Sequence, residues 1–231
     1  MRFIERENEI LKIIDKLSNE KLKFIVVGGY AVSALARHRF SVDLDIITRK
    51  KDINKFKKIL EKEGYKIDIA KVGFDKVYSG EFLSYKKSIN NLPSTVDLLV
   101  GSVVCRATNA SWSFKHVNRY SVISTISGIE SFARARVPEK ELLTALKIHS
   151  GRRTDLRDIV LLMENADIAR IIIHLRRGDL NILKKQIKRL IEMLKDEKLV
   201  NSLKGVFSIS FDVNKQIENS KEKLEEIFHK I

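Results

Sequence analysis

Three aspartates and two glycines carry the chemistry in this sequence. In "SVDLDII", Asp43 and Asp45 are separated by a single leucine, and on a strand residues two apart share a face. Two carboxylates side by side oppose each other's ionisation unless a cation lies between them. Magnesium meets that need, because it takes hard oxygen ligands and keeps positions open for phosphate oxygens. Asp97 in "TVDLLVG" is the best candidate for a third acid, again on a strand pattern flanked by apolar residues. Gly28 and Gly29 end the apolar run "KFIVV" and precede the helix-compatible "YAVSALAR". Backbone there can approach a ligand closely, and helix N–H groups can face an anion. Ser33, about one turn on, could add a hydroxyl. Arg37 and Arg39 stand just before the acidic strand, where they could neutralise a triphosphate. A solvated strand end, a tight turn and surface charges would use the same residue types. Their order, however, suits phosphoryl-type transfer, which needs mainly positioning and charge stabilisation.

The elements that must position these groups can be read from periodicity. Residues 1 to 20 repeat apolar positions at helical spacing (Ile4, Ile10, Leu11, Ile14, Leu17). "KFIVVGG" is a short strand ending in a turn, and "SVDLDIIT" a second strand with Val42, Leu44 and Ile46 on one face. Asp52 is placed to cap a helix carrying Ile53, Phe56, Ile59 and Leu60, which Gly64 stops. "YKIDIAKV", "KVYSGEFLSY" and "TVDLLVG" read as further strands. From about Ser127 onward the pattern is helical, with Pro138 where a first-turn proline belongs. Stripes at Leu183, Ile187, Leu190, Ile191, Leu194 and at Val213, Ile217, Leu224, Ile227, Phe228 follow. The expected class is α+β: a small mixed sheet with flanking helices over residues 1–130, then a helical domain over 131–231.

Composition bounds the function without naming it. The chain of 231 residues is 44% hydrophobic and 32% charged, as globular proteins are. No apolar run approaches the roughly 18 residues of a membrane span, and the first ten residues lack the apolar middle of a secretory signal, so a cytoplasmic address is expected. Cys105 stands alone, which rules out an internal disulfide and a cysteine metal cluster. His38, His116, His149, His174 and His229 are too scattered for a ligand set. A net charge of +14 raises the encounter rate with polyanions; a Lys- and Glu-rich, heat-adapted surface would also produce it.

The glycine pair, the "VDLDI" acids and the later "VDLL" acid together resemble the nucleotidyltransferase superfamily with the polymerase-β-like fold. A second segment, "VPEKELLTALKIHSGRRTDLRDIVLLM", looks like its AbiEii-like branch, which includes toxins of toxin–antitoxin systems. Lys147, Gly151, Arg152, Asp155 and Asp158 match there, while Thr154 replaces a common lysine. The resemblance covers roughly residues 23 to 165. It implies transfer of a nucleoside monophosphate from an NTP to an acceptor hydroxyl. Asp43, Asp45 and Asp97 would hold two Mg²⁺ ions, and Lys147 and Asp155 would assist catalysis. Gly28, Gly29, Ser33, Arg37, Arg39 and Arg152 would contact nucleotide. The acceptor expected from a basic surface and this tail is RNA, such as a tRNA 3′ end, with a protein hydroxyl or an aminoglycoside-like small molecule as other choices. A cognate antitoxin is a further expected partner. The rival reading is a catalytically silent nucleotide- or nucleic-acid-binding module with the same fold.

Overall fold

The computed structural model describes residues 2–73, 75 and 77–231. Met1, at the start of the expected first helix, and Lys76, at the start of the "KVYSGEFLSY" strand, lie outside them. The chain groups into two compact units, one of residues 1–103 and 112–138, the other of residues 104–111 and 139–231.

The first unit is built on a five-stranded sheet. Its strands are β1 (Phe24–Val27), β2 (Asp43–Thr48), β3 (Lys66–Lys71), β4 (Glu81–Ile89) and β5 (Leu92–Val100), in the order β1-β2-β5-β4-β3. Only β2 and β5 run parallel; the other neighbours are antiparallel. The parallel pair requires a crossover, supplied by β3, β4 and α3 (Ile53–Lys62). Leu44, Ile46, Val96, Leu98 and Val100 are buried on one face, alternating with the residues that carry polar groups. The amphipathic α1 (Arg2–Asn19) buries Ile10, Leu11, Ile13, Ile14 and Leu17 and packs on β4, β5 and α3. The short α2 (Gly28–Leu35) joins β1 to β2.

Downstream come β6 (Ser102–Cys105), β7 (Ala110–Ser113), α4 (Phe114–Arg119), β8 (Ser121–Ser127) and β9 (Phe132–Pro138). β9 corrects the expectation of helix from Ser127. Ala133, Ala135 and Val137 are buried while Phe132 and Arg134 are exposed, a period of two that pairs with β8 in antiparallel register. Small residues on the inner face hid that alternation. Pro138 accordingly closes this ladder, opposite Ser121, instead of opening a helix; a strand terminus tolerates its missing N–H. Two other local expectations also change. Asp52 holds the N-cap position of α3 but makes no side-chain cap bond: it ends a 3-10 turn (Lys50–Asp52) and accepts from Arg49 Nε at 2.5 Å. Val42 precedes β2 and is exposed.

The second unit is helical: α5 (Lys140–Ser150), α6 (Arg153–Leu162), α7 (Ile168–Leu175), α8 (Leu180–Met193), α9 (Lys198–Phe207) and α10 (Asn214–Lys230). α5 is its core helix, buried continuously from Leu142 to His149 and packed against α6, α7 and α8. The segment 104–111 is tied in through Thr108, whose Oγ1 lies 2.6 Å from His149 Nδ1 and whose carbonyl accepts from Asp179 N at 2.8 Å. Among the described residues no helix is long and apolar enough to cross a membrane.

Candidate active site on the five-stranded sheet

The parallel pairing of β2 with β5 sets Asp45 directly opposite Asp97, and Asp43 opposite Thr95. Paired residues in a sheet point to the same side, so all three aspartates share one face. Val27, the last residue of β1, is opposite Asp45 on the other side. The glycine turn therefore begins beside the acids, as the sequence order requires if the two are to act on one ligand.

Gly28 has φ +65°, and a Cβ there would collide with the Asp45 carboxylate. Both the left-handed backbone and the close approach demand glycine. At Gly29 a Cβ would lie 2.6 Å from Ser41 Oγ and 2.9 Å from Arg39 Nη2. The Arg39 guanidinium is thus folded against the start of α2. Val27, at the N-cap, offers no side-chain hydrogen bond to the first N–H groups of this helix. Ser33 is engaged in the turn itself: its hydroxyl lies 3.3 Å from the carbonyls of Gly29 and Arg39 and accepts from Arg39 N at 3.2 Å. It fixes the arginine loop. Arg37 is exposed on that loop, which His38 anchors to α1 by a 2.7 Å contact with Glu7.

Burial chiefly raises the Asp97 pKa, with the negative charges of Asp43 and Asp68 adding to it; a 2.6 Å hydrogen bond from Ser84 opposes the rise. Ser84 is opposite Asp97 on β4. Sequence reasoning passed over Ser84 and Asp68, because nothing local to "FLSY" or "KIDIA" shows which residues face Asp97 across the sheet. Among the described residues, no three His, Cys, Asp or Glu side chains converge on a point that would hold a metal ion. Asp97 is drawn towards Ser84, Asp45 lies over Gly28 and Asp43 is exposed. By type and register the three carboxylates suit a hard divalent cation; their carboxyl groups stand apart in this structure.

The remaining candidates belong to the helical unit. Lys147 is 5% exposed and bridges two buried acids, Asp155 at 2.9 Å and Asp158 at 2.7 Å. Asp158 thus pairs with Lys147. Asp155 also accepts from Ser150 Oγ at 2.7 Å and Arg152 Nε at 2.8 Å. Burial pushes its pKa upward, but Lys147, Arg152 and Ser150 more than offset it, leaving a value of about 2. Asp155 closes a capping box on α6, and Gly151 caps α5 with φ +56°. Lys147 and Asp155 therefore brace the α5–α6 corner, while the Arg152 side chain is 70% exposed. Burial pushes the Cys105 thiol up to about 12, away from the thiolate form.

The family model for aminoglycoside-2''-adenylyltransferase matches residues 9–84, which include the glycines, Asp43 and Asp45 and stop before Asp97. No curated protein matches the chain. The solution structure of the antibiotic-resistance factor ANT(2'')-Ia is 13% identical, covers 76% of this chain and 91% of that one, and superposes with a TM-score of 0.52. The crystal structure of ANT(2'')-Ia in complex with adenylyl-2''-tobramycin is 13% identical over 79% of this chain and 97% of that one, at 0.51. JHP933 from Helicobacter pylori is 16% identical over 99% and 92%, at 0.48. The chain has the nucleotidyltransferase fold, and the family match over its first strands and helices supports a nucleotidyltransferase.

Proposed function

We infer that this chain transfers a nucleoside monophosphate from an NTP to an acceptor hydroxyl, releasing pyrophosphate, on the face shared by Asp43, Asp45 and Asp97. The observation that carries the reading is the register that sets Asp45 against Asp97 beside the positive-φ Gly28. Asp43, Asp45 and Asp97 would hold Mg²⁺, which when bound neutralises triphosphate charge and polarises the α-phosphate. The uncapped start of α2 and Arg39 seat the phosphates. Asp97 would also take the proton from the acceptor hydroxyl. The acceptor oxygen then forms its bond to the α-phosphorus as the bond to the pyrophosphate oxygen breaks. Ser84 holds Asp97 in place through Oδ1, which leaves Oδ2 for the proton. Lys147, Asp155 and Arg152 serve the helical unit, the first two as braces and Arg152 as an exposed cation for nucleotide or acceptor.

The family match over residues 9–84 favours a small polyol acceptor of the aminoglycoside class. A second reading, RNA such as a tRNA 3′ end, is favoured by the net charge of +14. The AbiEii-like, toxin-type role that goes with it rests on the Lys147–Asp158 segment alone. The separating experiment supplies each α-³²P-labelled NTP with Mg²⁺ to three pools: aminoglycosides, total RNA and total protein. Label on aminoglycoside supports the first reading and label on RNA the second. NTP binding with no labelled product in any pool contradicts both and leaves the silent-module reading.

A further inference from the structure

A second, independent site lies on the first unit at the far end of β1. A groove of about 380 Å³ is lined there by Ser18, Leu22, Lys23, Asn118, Ile123 and the β9 arginines Arg134 and Arg136. Its lining carries three cations and no carboxylate. Lys23 and Arg134 are exposed and form no ion pair among the described residues. Arg136 is held by Ser121, whose carbonyl accepts from Nη1 at 3.0 Å and whose hydroxyl does so at 3.2 Å. The Arg134 backbone is fixed in turn by Ser18 Oγ, which donates to its carbonyl at 3.2 Å. The two arginines therefore stand on the β8–β9 ladder, and the lining adds apolar Leu22, Phe24 and Ala135 and polar Ser18 and Asn118. Elsewhere many of this chain's surface bases are paired with acids, such as Lys12 with Glu63 and Lys50 with Glu81. Leaving three unpaired around one groove costs mutual repulsion, which an anion would relieve.

The groove is not part of the acid site. Lys23 precedes β1 and Gly28 follows it, so roughly 16 Å of extended chain separates them, counting five residues at strand rise. We propose that this groove binds the phosphodiester backbone of single-stranded nucleic acid, with Lys23, Arg134 and Arg136 on successive phosphates and exposed Ile123 against a base or sugar. Three cations around one groove supply charge that suits successive phosphates, and phosphate contacts position a strand without reading its sequence. The proposal does not depend on the chemistry at the aspartates.

The test measures binding of a labelled oligouridylate across a salt series. For single strands each phosphate contact contributes about 0.7 to the slope of log K against log salt. Lys23→Ala combined with Arg134→Ala should lower that slope by about 1.4, with the thermal transition unchanged, since both side chains are exposed. Lys23→Arg combined with Arg134→Lys should keep it. Lys184→Ala with Lys185→Ala on α8 removes the same charge elsewhere and should leave the slope near the wild-type value. Equal losses in the α8 and groove variants would overturn the proposal in favour of general basicity. Displacement of the oligonucleotide by inorganic phosphate at matched ionic strength would overturn it in favour of a small-phosphate site.

Discussion

Gly28 shows how little room the acid site leaves. Its φ of +65° would cost any other residue about 1–2 kcal/mol, and a Cβ would displace the Asp45 carboxylate. Gly28→Ala is expected to lower nucleotidyl transfer at least ~100-fold while urea unfolding shows a loss of only about 1–2 kcal/mol. A variant as active as wild type would separate Asp45 from the chemistry. Asp97 gives a prediction of the opposite sign. Its pKa is raised in the folded state, so the folded protein holds that proton to higher pH than the unfolded chain does. Stability is therefore lost as pH rises through the folded value. Asp97→Asn should unfold at a higher temperature than wild type at neutral pH, with the advantage vanishing in acid below the unfolded carboxylate range, and should be inactive. A lower melting temperature at neutral pH would show that Asp97 stabilises the fold. At this scale much of the site was legible. The glycine pair, the two strand acids and the later acid were each visible as residue type and spacing. Ser84 was not, because its role follows from lying opposite Asp97 on β4, a register that no local pattern encodes.

At the scale of elements, the α5–α6 corner is the sharpest case. Lys147 is sandwiched between Asp155 and Asp158 with all three side chains buried. Lys147→Ala would strand two buried carboxylates, and a loss of about 3–5 kcal/mol in unfolding free energy is expected. Full stability combined with lost activity would return Lys147 to the catalytic role that its sequence context suggested. The pH window follows from Asp155, whose pKa falls to about 2. A depressed acid contributes stability above its unfolded value that is lost as pH falls through the folded one. The acid unfolding limb between the ordinary aspartate range and about pH 2 should be shallower in Asp155→Asn than in wild type. Sequence periodicity located α1, α3, α8 and α10 because each sets apolar residues at helical spacing on its inner face, from two in α3 (Phe56, Leu60) to five in α1 (Ile10, Leu11, Ile13, Ile14, Leu17). It missed β9 because Ala133 and Ala135 are too small to mark an inner face, and because its charged and aromatic residues sit on the exposed side.

At the scale of the whole molecule, charge and fold carry different information. The net charge of +14 could not distinguish a nucleic-acid partner from a heat-adapted surface. The arrangement of the charges does more: many pair into surface bridges, while Lys23, Arg134 and Arg136 gather around an acid-free groove. The mixed sheet was foreseeable from alternating strands and helices, but the order β1-β2-β5-β4-β3 was not, since a parallel neighbour more than forty residues away leaves no local trace. That order is what brings Asp97 to Asp45, and the proposed transfer chemistry depends on it. The most direct test measures pyrophosphate release from NTP with Mg²⁺ and a productive acceptor, comparing wild type with Asp45→Asn. Asp45→Asn should lose at least ~100-fold in rate with an unchanged thermal transition. Equal rates in the two proteins would contradict the proposed transfer chemistry.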